Sequence, residues 1–90
     1  MQFHYRPKLL IIDDNDALLT SLAFGLEEHF RIMTAQNGRK SLKTVENFQP
    51  EIVLTDYKME NLDGLEVAGK LLTLFPGLPI VLFSCSLTPE

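Results

Sequence analysis

The stretch KLLIIDD, residues 8–14, joins an apolar run to Asp13 and Asp14, and the stretch IVLTD, residues 52–56, repeats this pattern with Asp56 at its end. Continuous apolar runs of this length are typical of strands that are covered on both faces in a parallel sheet. The carboxyl ends of such strands reach one edge of an open sheet, where ligands bind. Three carboxylates gathered there repel one another unless a cation lies between them. The sequence therefore predicts a divalent-metal site beside a carboxylate that can act as a nucleophile.

Strand and helix patterns alternate along the whole chain. This alternation favours right-handed crossovers and a parallel sheet with helices on both faces, an α/β fold. The predicted elements, in chain order, are strand 8–12, a helix from Asp16 with an apolar stripe at Leu18, Leu22, Leu26 and Phe30, strand 31–35, helix 41–48, strand 52–55, helix 65–75 and strand 79–83.

Two details of the helices follow from the same patterns. Asn15 or Asp16 is predicted to cap the first helix, because their side-chain oxygens accept hydrogen bonds from free amides of a first turn. Asp63-Gly64 is a turn signal before the last helix. That helix is expected to pack five apolar side chains inward: Leu65, Ala68, Leu71, Leu72 and Phe75.

Composition excludes several classes of function. The 90 residues allow one small domain, with 46% hydrophobic and 22% charged residues. The net charge of −4 and the lack of a basic cluster argue against direct binding of nucleic acid. The apolar stretches are too short to cross a membrane, and residues 1–8 lack the apolar core of a signal peptide. A lone cysteine, Cys85, cannot form an internal disulfide, which suits the reducing cytoplasm.

Four stretches of the chain together resemble the receiver domains of response regulators in two-component signalling, including the chemotaxis-regulator type. They are KLLIIDDN (8–15), IVLTDYKM (52–59), NLDGL (61–65) and PIVLFSC (79–85). They correspond in order to the family's first strand with its acidic pair, its phosphoacceptor strand, the following loop and its fourth strand. The resemblance implies a flavodoxin-like, doubly wound parallel sheet with strand order 2-1-3-4-5.

The resemblance also implies roles for individual residues. Asp56 would accept a phosphoryl group as an acyl phosphate, and Ser84 would bind the new phosphoryl oxygens as the switch hydroxyl. Asp14 and Asp56 would ligate Mg²⁺, Asp13 would hold the ion largely through water, and the backbone carbonyl of Lys58 would supply a further oxygen. The phosphoryl donor would be a histidine kinase, a phosphotransfer protein or a small phosphodonor. The domain would catalyse at most its own phosphorylation and dephosphorylation.

The chain departs from the family pattern in two places. Glu60 stands where the family usually has proline. The family's fourth helix, fifth strand and fifth helix have no counterpart in residues 1–90, nor does the lysine that contacts the phosphoryl group. Residues 1–90 are therefore expected to form an incomplete receiver domain of four strands and three helices. An output domain would lie outside this segment.

The missing elements would leave apolar surface open. Val81, Leu82 and Phe83 are expected to lie on an uncovered sheet edge, and part of the central sheet face is expected to meet water. Such edges pair with other chains. The segment is therefore expected to associate with a second copy, to exchange elements, or to belong to a longer protein.

Two other functions fit parts of the sequence. Asp14-Asn15-Asp16 after an apolar strand also resembles the motif of haloacid-dehalogenase-type phosphohydrolases, in which Asp14 would be the nucleophile and Asp16 the general acid. Alternatively, the segment keeps the receiver fold as an interaction module that is not phosphorylated, since the lysine and last strand are absent.

Overall fold

The computed structural model describes residues 5–57 and 64–83, which form seven elements in alternating order. Each predicted strand and helix is present, and most boundaries differ from the predicted ones by three residues or fewer. The exception is the end of the first helix, because its predicted apolar stripe continues to Phe30. The elements are β1 (Lys8–Ile12), α1 (Asp16–Leu26), β2 (Arg31–Ala35), α2 (Gly38–Phe48), β3 (Ile52–Asp56), α3 (Gly64–Leu74) and β4 (Ile80–Phe83).

The four strands form one parallel sheet with the order β2-β1-β3-β4. This order confirms the α/β prediction and agrees with the family's strand order over the four strands. The strand order changes direction between β1 and β3. The helix after β1 packs on one face of the sheet and the helix after β3 on the other, so a cleft of the kind that binds ligands lies where these two neighbouring strands end. The register aligns Ile12 with Thr55, so the carboxyl ends of the two strands lie within one residue of the same level.

Two apolar clusters cover the two faces of the sheet. On one face Leu10, Ile12 and Val53 pack with Val45 of α2 and Leu71 of α3. On the other face the buried members are Leu9, Ile11 and Leu19 of α1. All four apolar side chains of the β1 run are 3% exposed or less, which explains why that run carries no polar alternation. The central strand is thereby fixed on both faces, and its end is a rigid place for a site.

The predicted inner face of α3 is wrong in two positions. Leu65 and Leu72 are each 49% exposed, whereas Val67 is 1% exposed and faces the sheet. The helix begins at Gly64, and its buried residues Gly64, Val67, Ala68 and Leu71 follow the spacing of one helical face. Leu65 and Leu72 lie one position beyond that face.

Helix α1 is shorter than its apolar stripe suggested. It ends at Leu26, and Phe30 lies beyond it, where it packs against the second apolar cluster as a half-buried side chain. Helix α2 begins at Gly38, three residues before its predicted start, because Asn37 caps it by accepting a hydrogen bond from the Lys40 amide.

The β4 side of the sheet exposes apolar side chains. Val81 is 45% and Leu82 38% exposed, and Phe83 is half-buried. Within residues 5–57 and 64–83, β4 has a neighbouring strand on one side only. Across the same two ranges, none of the helices has the length and apolar character needed to cross a membrane.

Candidate functional site

Three aspartates converge where β1 and β3 end. Asp13 and Asp14 directly follow β1, and Asp56 is the last residue of β3. One carboxylate oxygen of each lies within 4.8 Å of the others. The register of the two parallel strands produces this convergence, because Ile12 and Thr55 are partners and the aspartates come next on each strand. The three residues that the sequence singled out for a metal site are therefore brought together.

The carboxylate of Asp13 is the most enclosed of the three. Only 1% of the residue is exposed, and its amide donates to the Ala35 carbonyl at 3.1 Å, which ties it to the end of β2. Its Oδ1 accepts a hydrogen bond from the Asn15 amide at 2.8 Å. Its Oδ2 is buried and accepts no hydrogen bond from the described residues. An enclosed carboxylate oxygen without a donor, on a residue that lies beside two further carboxylates, fits a hard cation with oxygen ligands.

Electrostatics at the cluster follow from this enclosure. Burial raises the pKa of Asp13, the Asn15 amide opposes that effect, and the negative charges of Asp56 and Asp14 raise it further. A bound cation would reverse the balance, because it stabilises the ionised carboxylate. Without a cation, burial and mutual repulsion make the ionised form of Asp13 unfavourable. Carboxylate oxygens are also the ligands that a divalent cation prefers.

Asn15 links the cluster to the first helix. Its side-chain oxygen accepts a hydrogen bond from the Leu18 amide at 3.1 Å, so Asn15, rather than Asp16, is the cap of α1. Asp16 instead accepts a hydrogen bond from the side-chain amide of Gln36 and is not a member of the carboxylate cluster. The cap thus holds the backbone whose amide binds the Asp13 carboxylate.

Asp56 is held by its neighbours along β3. The Tyr57 amide donates to the Phe83 carbonyl at 2.6 Å, and the Thr55 hydroxyl, fully buried, donates to the Asp56 carbonyl at 3.3 Å. Asp56 itself is half-buried, and Tyr57 is 40% exposed beside it. Asp56 thus has a fixed backbone at the end of the strand, and as a whole residue it is less enclosed than Asp13.

Two predicted site residues, Lys58 and Ser84, lie outside the described residues. Ser84 follows Phe83, whose Cα is in register with Asp56. Gly64 is a residue of the site region to which the sequence pattern assigned only a turn. Its amide donates to the Tyr57 carbonyl at 2.9 Å, so it joins the start of α3 to the residue that follows Asp56. The Asp-Gly signal predicted a turn there but not a contact with β3.

Comparison with known proteins identifies the family. The model of the response regulator receiver domain matches residues 9–89. The chain belongs to this family. It is a receiver domain of two-component response regulators, and a phosphoacceptor role fits the family.

Curated relatives agree with this membership. The chain is 34% identical over 65 residues to the alkaline phosphatase synthesis transcriptional regulatory protein PhoP of Bacillus subtilis, covering 71% of this chain and 27% of that protein. It is 27% identical over 82 residues to the transcriptional regulatory protein GlrR of Escherichia coli, covering 90% of this chain and 18% of that protein. The chain therefore spans about a quarter or less of the length of these relatives.

Solved structures show the same fold. The N-terminal domain of a response regulator receiver protein from Methanoculleus marisnigri superposes with a TM-score of 0.81 at 29% identity, covering 93% of this chain and 72% of that one. The chemotaxis response regulator CheY4 of Vibrio cholerae superposes with a TM-score of 0.82 at 20% identity, covering 96% of this chain and 74% of that one. The second likeness supports the fold alone and confirms the flavodoxin-like prediction.

Proposed function

We propose that Asp56 is the phosphoacceptor of this receiver domain and that Asp13, Asp14 and Asp56 hold a Mg²⁺ ion. The main support for this proposal is that one oxygen of each carboxylate lies within 4.8 Å of the others at the ends of β1 and β3. The unpaired, buried Oδ2 of Asp13 supports a cation at this place. The backbone carbonyl of Lys58 is proposed as a further ligand, and Ser84 as the hydroxyl that binds the phosphoryl oxygens.

Access distinguishes the roles of the carboxylates. Asp13 is too enclosed to meet a phosphodonor, whereas Asp56 is half-buried at the end of a strand that is fixed between β1 and β4. An oxygen of Asp56 would attack the phosphorus, while the bond from phosphorus to the donor's nitrogen or oxygen breaks and its electron pair leaves with the donor. A bound Mg²⁺ would neutralise the charge of the carboxylates and of the transferred group.

The proposed phosphoryl source is a histidine kinase or a phosphotransfer protein, with a small phosphodonor as a substitute in vitro. The domain would modify itself only, and an output domain elsewhere in a longer protein would carry the response. The proposed setting is the cytoplasm, which suits a chain with one cysteine. Fractionation of cells that carry the tagged protein would contradict this setting if the protein is found outside the cytoplasm.

The decisive experiment measures the intact mass of the chain after incubation with acetyl phosphate and Mg²⁺. The wild type is expected to gain one phosphoryl group, and Asp56→Asn is expected to gain none. Asp16→Asn is the matched control, since Asp16 is exposed, lies outside the cluster and changes charge by the same amount. Loss of labelling in Asp16→Asn, or turnover of a generic phosphate ester, would instead support the phosphohydrolase alternative. No labelling of the wild type would leave an interaction module that is not phosphorylated.

We also propose that residues 1–90 associate as a pair through the β4 edge. Val81 and Leu82 expose apolar surface there, and within the described residues β4 has a strand partner on one side only. Two such edges satisfy each other's backbone groups by strand pairing.

Light scattering at micromolar concentration tests the pairing. We expect a dimer mass for the wild type and a monomer mass for Val81→Lys. Leu72→Lys is the control, because Leu72 is 49% exposed, close to the 45% of Val81, but lies on α3. A monomeric wild type with cooperative unfolding would contradict the proposal.

A further inference from the structure

Gly64 lies against the backbone of the proposed phosphoacceptor. It is buried as the first residue of α3. A Cβ atom at this position would come within 2.9 Å of the Asp56 carbonyl carbon and 2.8 Å of the Tyr57 carbonyl oxygen, and still closer to the Asp56 carbonyl oxygen. Real Cβ atoms essentially never approach other atoms below 3.0 Å, so any side chain would force a shift.

The requirement for glycine here is purely one of space. Gly77 is the only glycine with a positive φ in the described residues, so the backbone at Gly64 is open to any L-residue. Gly69 on the same helix is exposed, and a Cβ atom there would meet no neighbouring element within 4 Å. The two glycines of α3 therefore differ in one respect: Gly64 touches the end of β3, whereas Gly69 does not.

Hydrogen bonds connect this contact to the site. The Gly64 amide donates to the Tyr57 carbonyl at 2.9 Å, and the Tyr57 amide donates to the Phe83 carbonyl at 2.6 Å. Tyr57 is thus tied on one side to α3 and on the other to β4. The bond to Phe83 holds the peptide group between Asp56 and Tyr57, and the bond from Gly64 holds the carbonyl of the next peptide group. The Asp56 side chain projects from the backbone directly before these two bonds.

We infer that Gly64 is a positioning residue for the cation site, because the approach of its Cα to the Asp56 carbonyl fixes the backbone from which the Asp56 carboxylate reaches Asp13 and Asp14. This inference rests on the proposed function, in which Asp56 is both ligand and phosphoacceptor. Mg²⁺ demands near-ideal octahedral geometry, so a displaced ligand lowers its affinity. Groups that orient metal ligands typically change affinity about 10- to 100-fold when they are altered.

The test compares Mg²⁺ binding by the 90-residue wild type, Gly64→Ala and Gly69→Ala, followed by calorimetric titration. We expect Gly64→Ala to bind Mg²⁺ about tenfold more weakly or worse, and Gly69→Ala to match the wild type. A purely structural role would lower stability equally with and without Mg²⁺ and would leave the dissociation constant of the folded protein unchanged. Circular dichroism establishes that each variant is folded.

The outcomes separate this inference from the function on which it rests. If the wild type binds Mg²⁺ and folded Gly64→Ala binds it within about twofold as well, only the positioning role of Gly64 is overturned. If the wild type binds no Mg²⁺, the proposed function fails and the inference falls with it.

A measurement on the wild type decides the case if Gly64→Ala does not fold. Mg²⁺ held by Asp56 should tighten the backbone contact, so hydrogen exchange of the Gly64 amide should slow about tenfold on adding the ion, with no change at Gly69. Equal exchange of the Gly64 amide with and without Mg²⁺ would overturn the inference.

Discussion

The substitution Asp13→Asn should stabilise the protein when no divalent cation is present. The amide side chain keeps an oxygen that accepts from the Asn15 amide. The substitution removes one negative charge and puts an NH₂ group, which is a donor, in place of the buried Oδ2 that has no hydrogen-bond partner. Repulsion within the cluster should fall, because the amide can donate to a neighbouring carboxylate.

The structure sets the magnitude of this gain. The carboxylate oxygens lie within 4.8 Å of one another, and at that upper limit two unit charges repel by about 0.9 kcal/mol in bulk water and about 3.5 kcal/mol at an effective dielectric constant of about 20. Asp14 is exposed and Asp56 half-buried, so screening reduces both interactions with Asp13. We expect a gain of about 1–3 kcal/mol in the free energy of unfolding at neutral pH.

The gain should depend on pH in a defined direction. The pKa of Asp13 is raised in the folded state, so the folded protein binds the proton more tightly than the unfolded chain. The wild type is therefore favoured below the ordinary pKa of aspartate and loses that stability as pH rises through the raised pKa. The advantage of Asp13→Asn should accordingly be largest at neutral pH and shrink toward pH 4 or below.

Urea unfolding in the presence of a chelator measures the free energy of unfolding of both proteins. The same experiment with Mg²⁺ measures how much the ion stabilises each of them. Mg²⁺ should stabilise the wild type by linkage and the variant much less. Asp16→Asn, which lies outside the cluster, should change neither quantity to a comparable extent. A folded Asp13→Asn that is no more stable than the wild type in chelator at pH 7 would refute the reasoning from charge repulsion.

Three further predictions are checked by the same urea unfolding. Leu71→Ala should cost about 2–5 kcal/mol because Leu71 is fully buried, whereas Leu72→Ala should cost under about 1 kcal/mol; equal losses would contradict the observed face of α3. Asn37→Ala should cost about 1 kcal/mol by removing the cap of α2, and no loss would show that the cap is unimportant. The Tyr5 hydroxyl lowers the pKa of Glu51, so the wild type should lose stability as pH falls through that lowered pKa. Glu51→Gln should remove this acid-side dependence, and an unchanged pH profile would contradict it.

The strands and the carboxylate cluster were predictable because local pattern determines them. A run such as residues 9–12 has no polar residue to turn outward, so it must be covered on both faces. Parallel pairing then brings the aspartates that follow each strand to one edge, whatever the details of the helices. Asp13, Asp14 and Asp56 were therefore identified from order alone.

The details that failed depend on contacts distant in sequence. Leu65 and Leu72 are as apolar as Leu71, and only the position of α3 against β3 and β4 decides which of them is buried. Gly64 is indistinguishable in sequence from an ordinary turn glycine, because its requirement comes from the carbonyl of Asp56 on another element. The pattern could not show that the Oδ2 of Asp13 lacks a donor, since this depends on side-chain direction.

The central claim is that Asp56 receives a phosphoryl group beside a cation held by the three carboxylates. The most direct measurement is to reduce the acetyl phosphate-treated protein with borohydride, which converts an aspartyl phosphate to homoserine, and to locate the reduced residue by peptide mass spectrometry. We predict reduction at Asp56 when Mg²⁺ is present and none when a chelator replaces it. Reduction at Asp13, Asp14 or Asp16, or equal reduction at Asp56 without a divalent cation, would contradict the account.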